Sequence, residues 1–135
     1  MTIVLDCNIW LSLAISRQTN FLYQLQKSGI NVATCQDLFE ELSNVLSRSK
    51  FKKYFSDVDI KNLLDIYNLI TNTYHISKIE RVVSDKKDNY LFALSKMAKA
   101  DYFITGDKLL LQVNKYELTL MVTLSDFKKI VAANF

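Results

Sequence analysis

Along the chain, short apolar runs rich in β-branched residues alternate with longer stretches whose apolar positions recur at helical spacing. The first, Thr2-Ile3-Val4-Leu5, is continuous enough to predict a buried strand. A helical stretch follows as far as Lys27-Ser28. Gly29 then stands where a helix C-cap needs a residue tolerant of positive φ, and Ile30 to Thr34 predicts a second strand. From Gln36 to about Ser47, Leu38, Phe39, Leu42, Val45 and Leu46 share one helical face, and Asp57 to Thr73 predicts a longer amphipathic helix. Tyr74-His75-Ile76 reads as a short strand and the charged stretch from Lys78 to Lys87 as a surface loop. Asp88 to Ala100 predicts a helix, Tyr102 to Thr105 a strand, Leu109 onward a short helix and Leu118 to Thr123 a strand. Ser125 to Ala133 closes the chain as a helix capped by Ser125 or Asp126.

Strands alternating with helices imply right-handed crossovers, hence an α/β fold with a mainly parallel central sheet covered by helices on both faces. At 135 residues and 50% hydrophobic content, one domain with one continuous core is expected over residues 1–135. No apolar run approaches the ~18 residues of a membrane span and no basic start leads into a cleavable apolar stretch, so a cytoplasmic protein is expected. Cys7 and Cys35, with His75 as the single histidine, make neither a disulfide framework nor a zinc set. With 17 Lys and Arg against 14 Asp and Glu, the net charge of +3 permits a nucleic-acid partner without demanding one.

The acids narrow the choice. Sites in open α/β sheets form beyond the carboxyl ends of the strands. Asp6 closes the first strand, and Asp107 follows Phe103-Ile104-Thr105-Gly106 in the same strand-to-helix position. Either is equally readable as a helix N-cap. On the helix from Gln36, with Leu38 at zero and about 100° per residue, the apolar face centres at about 40°. Glu40 then falls at about 200°, in solvent, and Glu41 at about 300°, at the edge of the buried stripe. A half-buried carboxylate needs a partner, either a Lys or Arg or a cation shared with other acids. Asp88 opens the helix bearing Tyr90, Leu91, Leu94 and Met97, where a first-turn acid behind an Asp85 N-cap is the rival reading. Taken together, Asp6, Glu41, Asp88 and Asp107 converge on one rim of the sheet and point to a hard-cation site.

Four blocks carry a resemblance over nearly the whole chain. They are Val4-Leu5-Asp6-Cys7-Asn8, the run from Glu41 to Phe51, Asp85-Lys86-Lys87-Asp88-Asn89, and Ala100-Asp101-Tyr102-Phe103-Ile104-Thr105-Gly106-Asp107-Lys108. In order and spacing they resemble PIN domains, particularly the compact bacterial and archaeal kind that serve as toxins of toxin–antitoxin modules. The resemblance implies that Asp6, Glu41, Asp88 and Asp107 bind one or two Mg²⁺ or Mn²⁺ ions, with Asn8 and Thr105 as hydrogen-bonding support, and that the protein hydrolyses RNA with a metal-activated water. No protein nucleophile is then needed, which suits a chain with one His and no Gly-x-Ser-x-Gly or Walker-type loop. One departure stands out: Leu109 occupies the position, two after the final Asp, where members of this subfamily often carry an acid.

The expected partners are RNA, a cognate antitoxin protein and a second copy of the chain. Arg48, Lys50, Lys52 and Lys53 after the Glu41 helix, and Arg81, Lys86 and Lys87 before Asp88, are the candidates for gripping RNA phosphates. Phe51, Tyr54 and Phe55 among them are candidates for stacking on unpaired bases, the alternative being buried aromatics beneath a solvated charged surface. Two rivals remain. One is a PIN-fold module that binds RNA or protein without cutting, which the Leu109 departure makes possible. The other is a phospho-receiver or aspartate-nucleophile phosphatase, although the latter wants Asp-x-Asp after the first strand and Asn8 takes the second place.

Overall fold

The computed structural model describes residues 1–134. Its strands are β1 (Thr2–Leu5), β2 (Asn31–Thr34), β3 (Thr71–Thr73), β4 (Tyr102–Ile104), β5 (Lys115–Tyr116) and β6 (Thr119–Val122), in the sheet order β3-β2-β1-β4-β6-β5. All neighbours are parallel except the terminal β5–β6 pair. The helices are α1 (Cys7–Ile15), α2 (Thr19–Lys27), α3 (Gln36–Leu46), α4 (Asp57–Ile70), α5 (Asn89–Met97), α6 (Lys108–Val113) and α7 (Leu124–Asn134). Consecutive strand residues point to opposite faces, and Ile3, Val4 and Leu5 are each fully buried. Both faces of β1 are therefore covered, as are those of β4 at Phe103 and Ile104. This is the expected α/β architecture.

β1 lies at the centre because its apolar run tolerates burial on both sides, and the order of the strands reverses across it. β2 and β3 extend one way from β1, while β4 and β6 extend the other. A crevice opens at such a switch point, beyond the carboxyl ends of β1 and β4. The backbone closes tightly there: Asp6 N–H donates to the Ile104 carbonyl at 3.0 Å and Thr105 N–H to the Val122 carbonyl at 3.0 Å. Asp6 and Asp107 thereby leave neighbouring strands on the same rim.

Several boundaries differ from the sequence pattern, each for a local reason. The stretch before Gly29 is two helices rather than one. α1 stops where Arg17 adopts φ 57° and Ser16 Oγ turns back onto the Ser12 carbonyl at 2.7 Å, with no Gly or Pro to mark the break. Gly29, at φ 74°, follows α2 as expected. The strand expected at Tyr74–Ile76 lies instead at Thr71–Thr73, and the preceding helix ends at Ile70, where Thr71 Oγ1 donates to the Tyr67 carbonyl at 2.6 Å. β3 is an edge strand with Asn72 and Thr73 exposed, so it shows no apolar alternation. The closing helix is capped by Thr123, whose Oγ1 accepts the Asp126 N–H at 3.1 Å, rather than by Ser125 or Asp126. The β5–β6 hairpin, turning through Glu117 at φ 53°, carries too few apolar residues in β5 to be visible in the pattern.

Candidate active site

Asp6 is 7% exposed and occupies the N-cap position of α1, yet its side chain does not cap that helix. Instead Oδ2 accepts a hydrogen bond from Thr105 Oγ1 at 2.7 Å. The same Thr105 oxygen accepts the Asp107 N–H at 3.1 Å, so one buried hydroxyl ties the ends of β1 and β4 together. Asp107 does cap its helix: Oδ1 accepts the Leu109 N–H at 2.9 Å. The capping alternative is thus correct for Asp107 as far as one of its two oxygens goes.

α3 carries Glu41 in from the β2 side. Glu40 is exposed and Glu41 half-buried, as the helix geometry predicts, because Leu38, Leu42 and Leu46 fix the buried face. The half-buried carboxylate has neither Lys nor Arg as its partner. Glu41 Oε2 accepts a short hydrogen bond from the hydroxyl of Tyr90 on α5. Asp88 stands one residue before α5 and is half-buried. Asp85 caps the preceding 3-10 turn by accepting the Lys87 N–H at 3.1 Å, and Asp88 makes no capping bond of its own.

The electrostatics follow from this crowding. Burial pushes the Asp88 carboxyl up to about 6, with Asp85, Asp6, Asp107 and Glu41 adding to the rise. Burial also raises Asp6, partly offset by the Thr105 hydroxyl, and Glu41 and Asp107 again push it upward. Behind them the Cys7 thiol is driven to about 12, first by burial and then by Glu41 and Asp6. Among the described residues, none of the four acids forms an ion pair with a Lys or Arg. Their donor set, carboxylate oxygens throughout, suits a hard divalent cation. No group of three or more acids, thiols or imidazoles among the described residues forms a ready-made ion cage. Glu41, Asp88 and Asp107 line a common cleft without enclosing a single point, and Asp6 is not among its lining residues.

That cleft has a volume of about 750 Å³. Glu41, Asp88 and Asp107 line it with Tyr90, as do the exposed Asp37, Glu40 and Asp85, and Arg48, Lys50, Lys86 and Lys87 form a basic margin. Lys52, Lys53 and Arg81 are exposed but outside it. Asn8 faces the cleft and its side chain makes no hydrogen bond to the acids, whereas Thr105 does. Of the three aromatics, only Phe51 lines the cleft, with Lys50 Nζ 5.2 Å from its ring centre. Phe55 is 5% exposed and belongs to the core, which removes it as a stacking surface; Tyr54 faces a separate pocket beside Arg17 and Asp59.

Two features were not anticipated. Tyr90 was readable only as an apolar helix position, since nothing in its spacing shows that its hydroxyl reaches Glu41. Asn89 is buried, its Oδ1 accepting the Val82 and Val83 N–H groups at 2.9 Å each and its Nδ2 donating to the Val83 carbonyl at 3.2 Å. It thereby pins the segment that leads into Asp85–Asp88.

The sequence matches the family model described as PIN domain over residues 2–109, which contains all four acids. No curated protein and no solved structure is similar enough to add to that match.

Proposed function

Because the chain belongs to the PIN-domain family, whose members are generally nucleases, we propose that it is a divalent-metal-dependent endoribonuclease acting through Asp6, Glu41, Asp88 and Asp107 at this cleft. The observation that carries this reading is the state of the four carboxylates. They come from four separate elements at the switch point of the sheet, Asp6 and Asp88 are both raised by burial and by their acidic neighbours, and among the described residues none of the four is ion-paired with a Lys or Arg. Such a cluster costs stability unless a cation is supplied from outside.

In this reading the protein's groups have separate tasks. Thr105, Tyr90 and the Leu109 N–H each hold one oxygen of Asp6, Glu41 and Asp107. The remaining oxygens of these acids, with Asp88, would hold Mg²⁺ or Mn²⁺. When bound, the ion supplies a water acidic enough to attack at neutral pH and neutralises charge building on the phosphate. Arg48, Lys50, Lys86 and Lys87 seat the RNA backbone along the margin, and Phe51 offers a ring face to an unpaired base.

By the same family resemblance, the chain acts in the cytoplasm as the toxin of a toxin–antitoxin pair and is held by an antitoxin protein. Among the described residues no helix is long and apolar enough to cross a membrane. A small antitoxin frame adjacent to the gene, and co-purification of its product, test that assignment.

One observation favours a second reading, a PIN-fold module that binds without cutting. Leu109 is 64% exposed where related domains often carry an acid, so any second ion would lack that ligand. Incubating the protein with single-stranded RNA in Mn²⁺, in Mg²⁺ and in EDTA separates the two. Divalent-dependent cleavage that Asp88→Asn removes supports the nuclease, and RNA retention without cleavage in either ion supports the binding module.

A further inference from the structure

A buried tyrosine ring gains stability from its packing, but its hydroxyl must find a partner. For Tyr90 that partner is a carboxylate. Its ring is 7% exposed within the core of α5, and its hydroxyl spans to α3 to donate to Glu41 Oε2. Both residues line the cleft. Glu41 is also the acid with most freedom to lose. Asp6 and Asp107 sit on short side chains at strand ends and are tied to backbone or to a buried hydroxyl, whereas Glu41 reaches from mid-helix on three torsions. Without a fixed donor its carboxylate would swing toward solvent, away from three like charges.

We propose that Tyr90 is a positioning residue for the cation site, anchoring one oxygen of Glu41 so that the other is presented to the cleft. The inference rests on the reading of the cleft as a divalent-metal nuclease site. It adds that a core tyrosine, through Glu41 alone, sets the affinity of that site. A hydrogen bond that orients an ion's ligand characteristically changes metal affinity or activity by 10- to 100-fold on the order of magnitude, although the donor never touches the ion.

Calorimetric titration of Mn²⁺ into the wild-type protein, Tyr90→Phe, Glu41→Ala and the double variant tests this without any substrate, with melting curves to confirm folding. Phenylalanine keeps the ring packing and removes only the donor. Tyr90→Phe is expected to weaken Mn²⁺ binding by about tenfold, and to have no further effect once Glu41 is alanine. RNA cleavage by Tyr90→Phe should recover toward the wild-type rate as Mn²⁺ is raised, a shift in metal requirement that a loss of packing would not produce. Equal Mn²⁺ affinity in Tyr90→Phe and wild type overturns the inference and leaves the nuclease reading standing, as does a loss that is just as large in the Glu41→Ala background. Absence of Mn²⁺ binding by the wild-type protein overturns both.

Discussion

The hydroxyl of Thr105 donates to Asp6 Oδ2 at 2.7 Å, and it is the side-chain donor that a 7% exposed carboxylate receives. Valine has nearly the shape of threonine and no donor. Thr105→Val should therefore leave Asp6 under-satisfied in its buried position and cost about 1 to 3 kcal/mol. Thr105→Ser should lose much less. Urea melts of the three proteins give the comparison, and a valine variant as stable as wild type would show that the bond contributes nothing net.

Asp6→Asn, Asp88→Asn and Asp107→Asn are each expected to abolish divalent-dependent RNA cleavage while the protein stays folded. Each change removes a charge from an all-carboxylate donor set, which lowers its affinity for a hard cation sharply. Circular dichroism and a cleavage assay on the same preparations are sufficient. Full activity in any one of them removes that residue from the site.

The adjacent glutamates on α3 should separate cleanly. Glu41→Gln is expected to be inactive, and Glu40→Gln, whose side chain lies in solvent and hydrogen-bonds Gln36 at 3.0 Å, close to wild type. Cleavage rates measured side by side decide it. The reverse result would move the metal assignment one residue along the helix.

Asp88 predicts a pH dependence whose sign is fixed. Its carboxyl is raised to about 6 from an ordinary 3.8, first by burial and then by its acidic neighbours. Between those values the folded state binds more protons than the unfolded chain. This group's contribution to stability is therefore fully present below the unfolded value and is lost as pH rises through the folded one. In EDTA the melting temperature should fall from about pH 5 to about pH 7, and the fall should be shallower in Asp88→Asn. A metal-free melting temperature that rises over that interval equally in both proteins contradicts the assignment.

Divalent ions should offset the same repulsion. If Mg²⁺ binds only the native state with a dissociation constant of about 1 mM, then about 10 mM stabilises by about 1.4 kcal/mol, a melting shift of about 4 to 6 °C for a domain this size. Mn²⁺ should do at least as well. Asp88→Asn should match or exceed wild type without metal and respond less to it. Asp107→Asn should be near neutral without metal, because Asn caps a helix about as well as Asp. Thermal melts with EDTA and with each ion check all three. Wild-type curves indifferent to both ions would favour the non-cutting module.

How much of this was legible in the sequence depends on what each feature rests on. The parallel sheet and the central place of β1 follow from Ile3-Val4-Leu5, because a run apolar on both faces can only be interior. The difference between Glu40 and Glu41 is legible because helical periodicity locates each side chain to within a fraction of a turn. Edge elements were misplaced for the complementary reason: Thr71-Asn72-Thr73 and Lys115-Tyr116 bury too little to leave a pattern, so only backbone pairing defines them. The break at Arg17 was invisible because a left-handed arginine carries no local signal. Tyr90 was missed because its role lies in a single polar atom of a residue whose bulk is core. Periodicity reports where a side chain points but not what its tip touches.

The Thr105–Asp6 bond joins positions 99 residues apart, and β1 takes hydrogen-bonded neighbours from both β2 and β4. During synthesis β1 is made before either of its neighbours and must stay incompletely paired until β4 has followed. Asp6 and Glu41 can meet early, but Thr105 and Asp107 arrive only when most of the domain is already made. Assembly order thus delays the complete set of acids until late in translation, and a chain truncated before Thr105 would carry three of the four acids and none of the clasp.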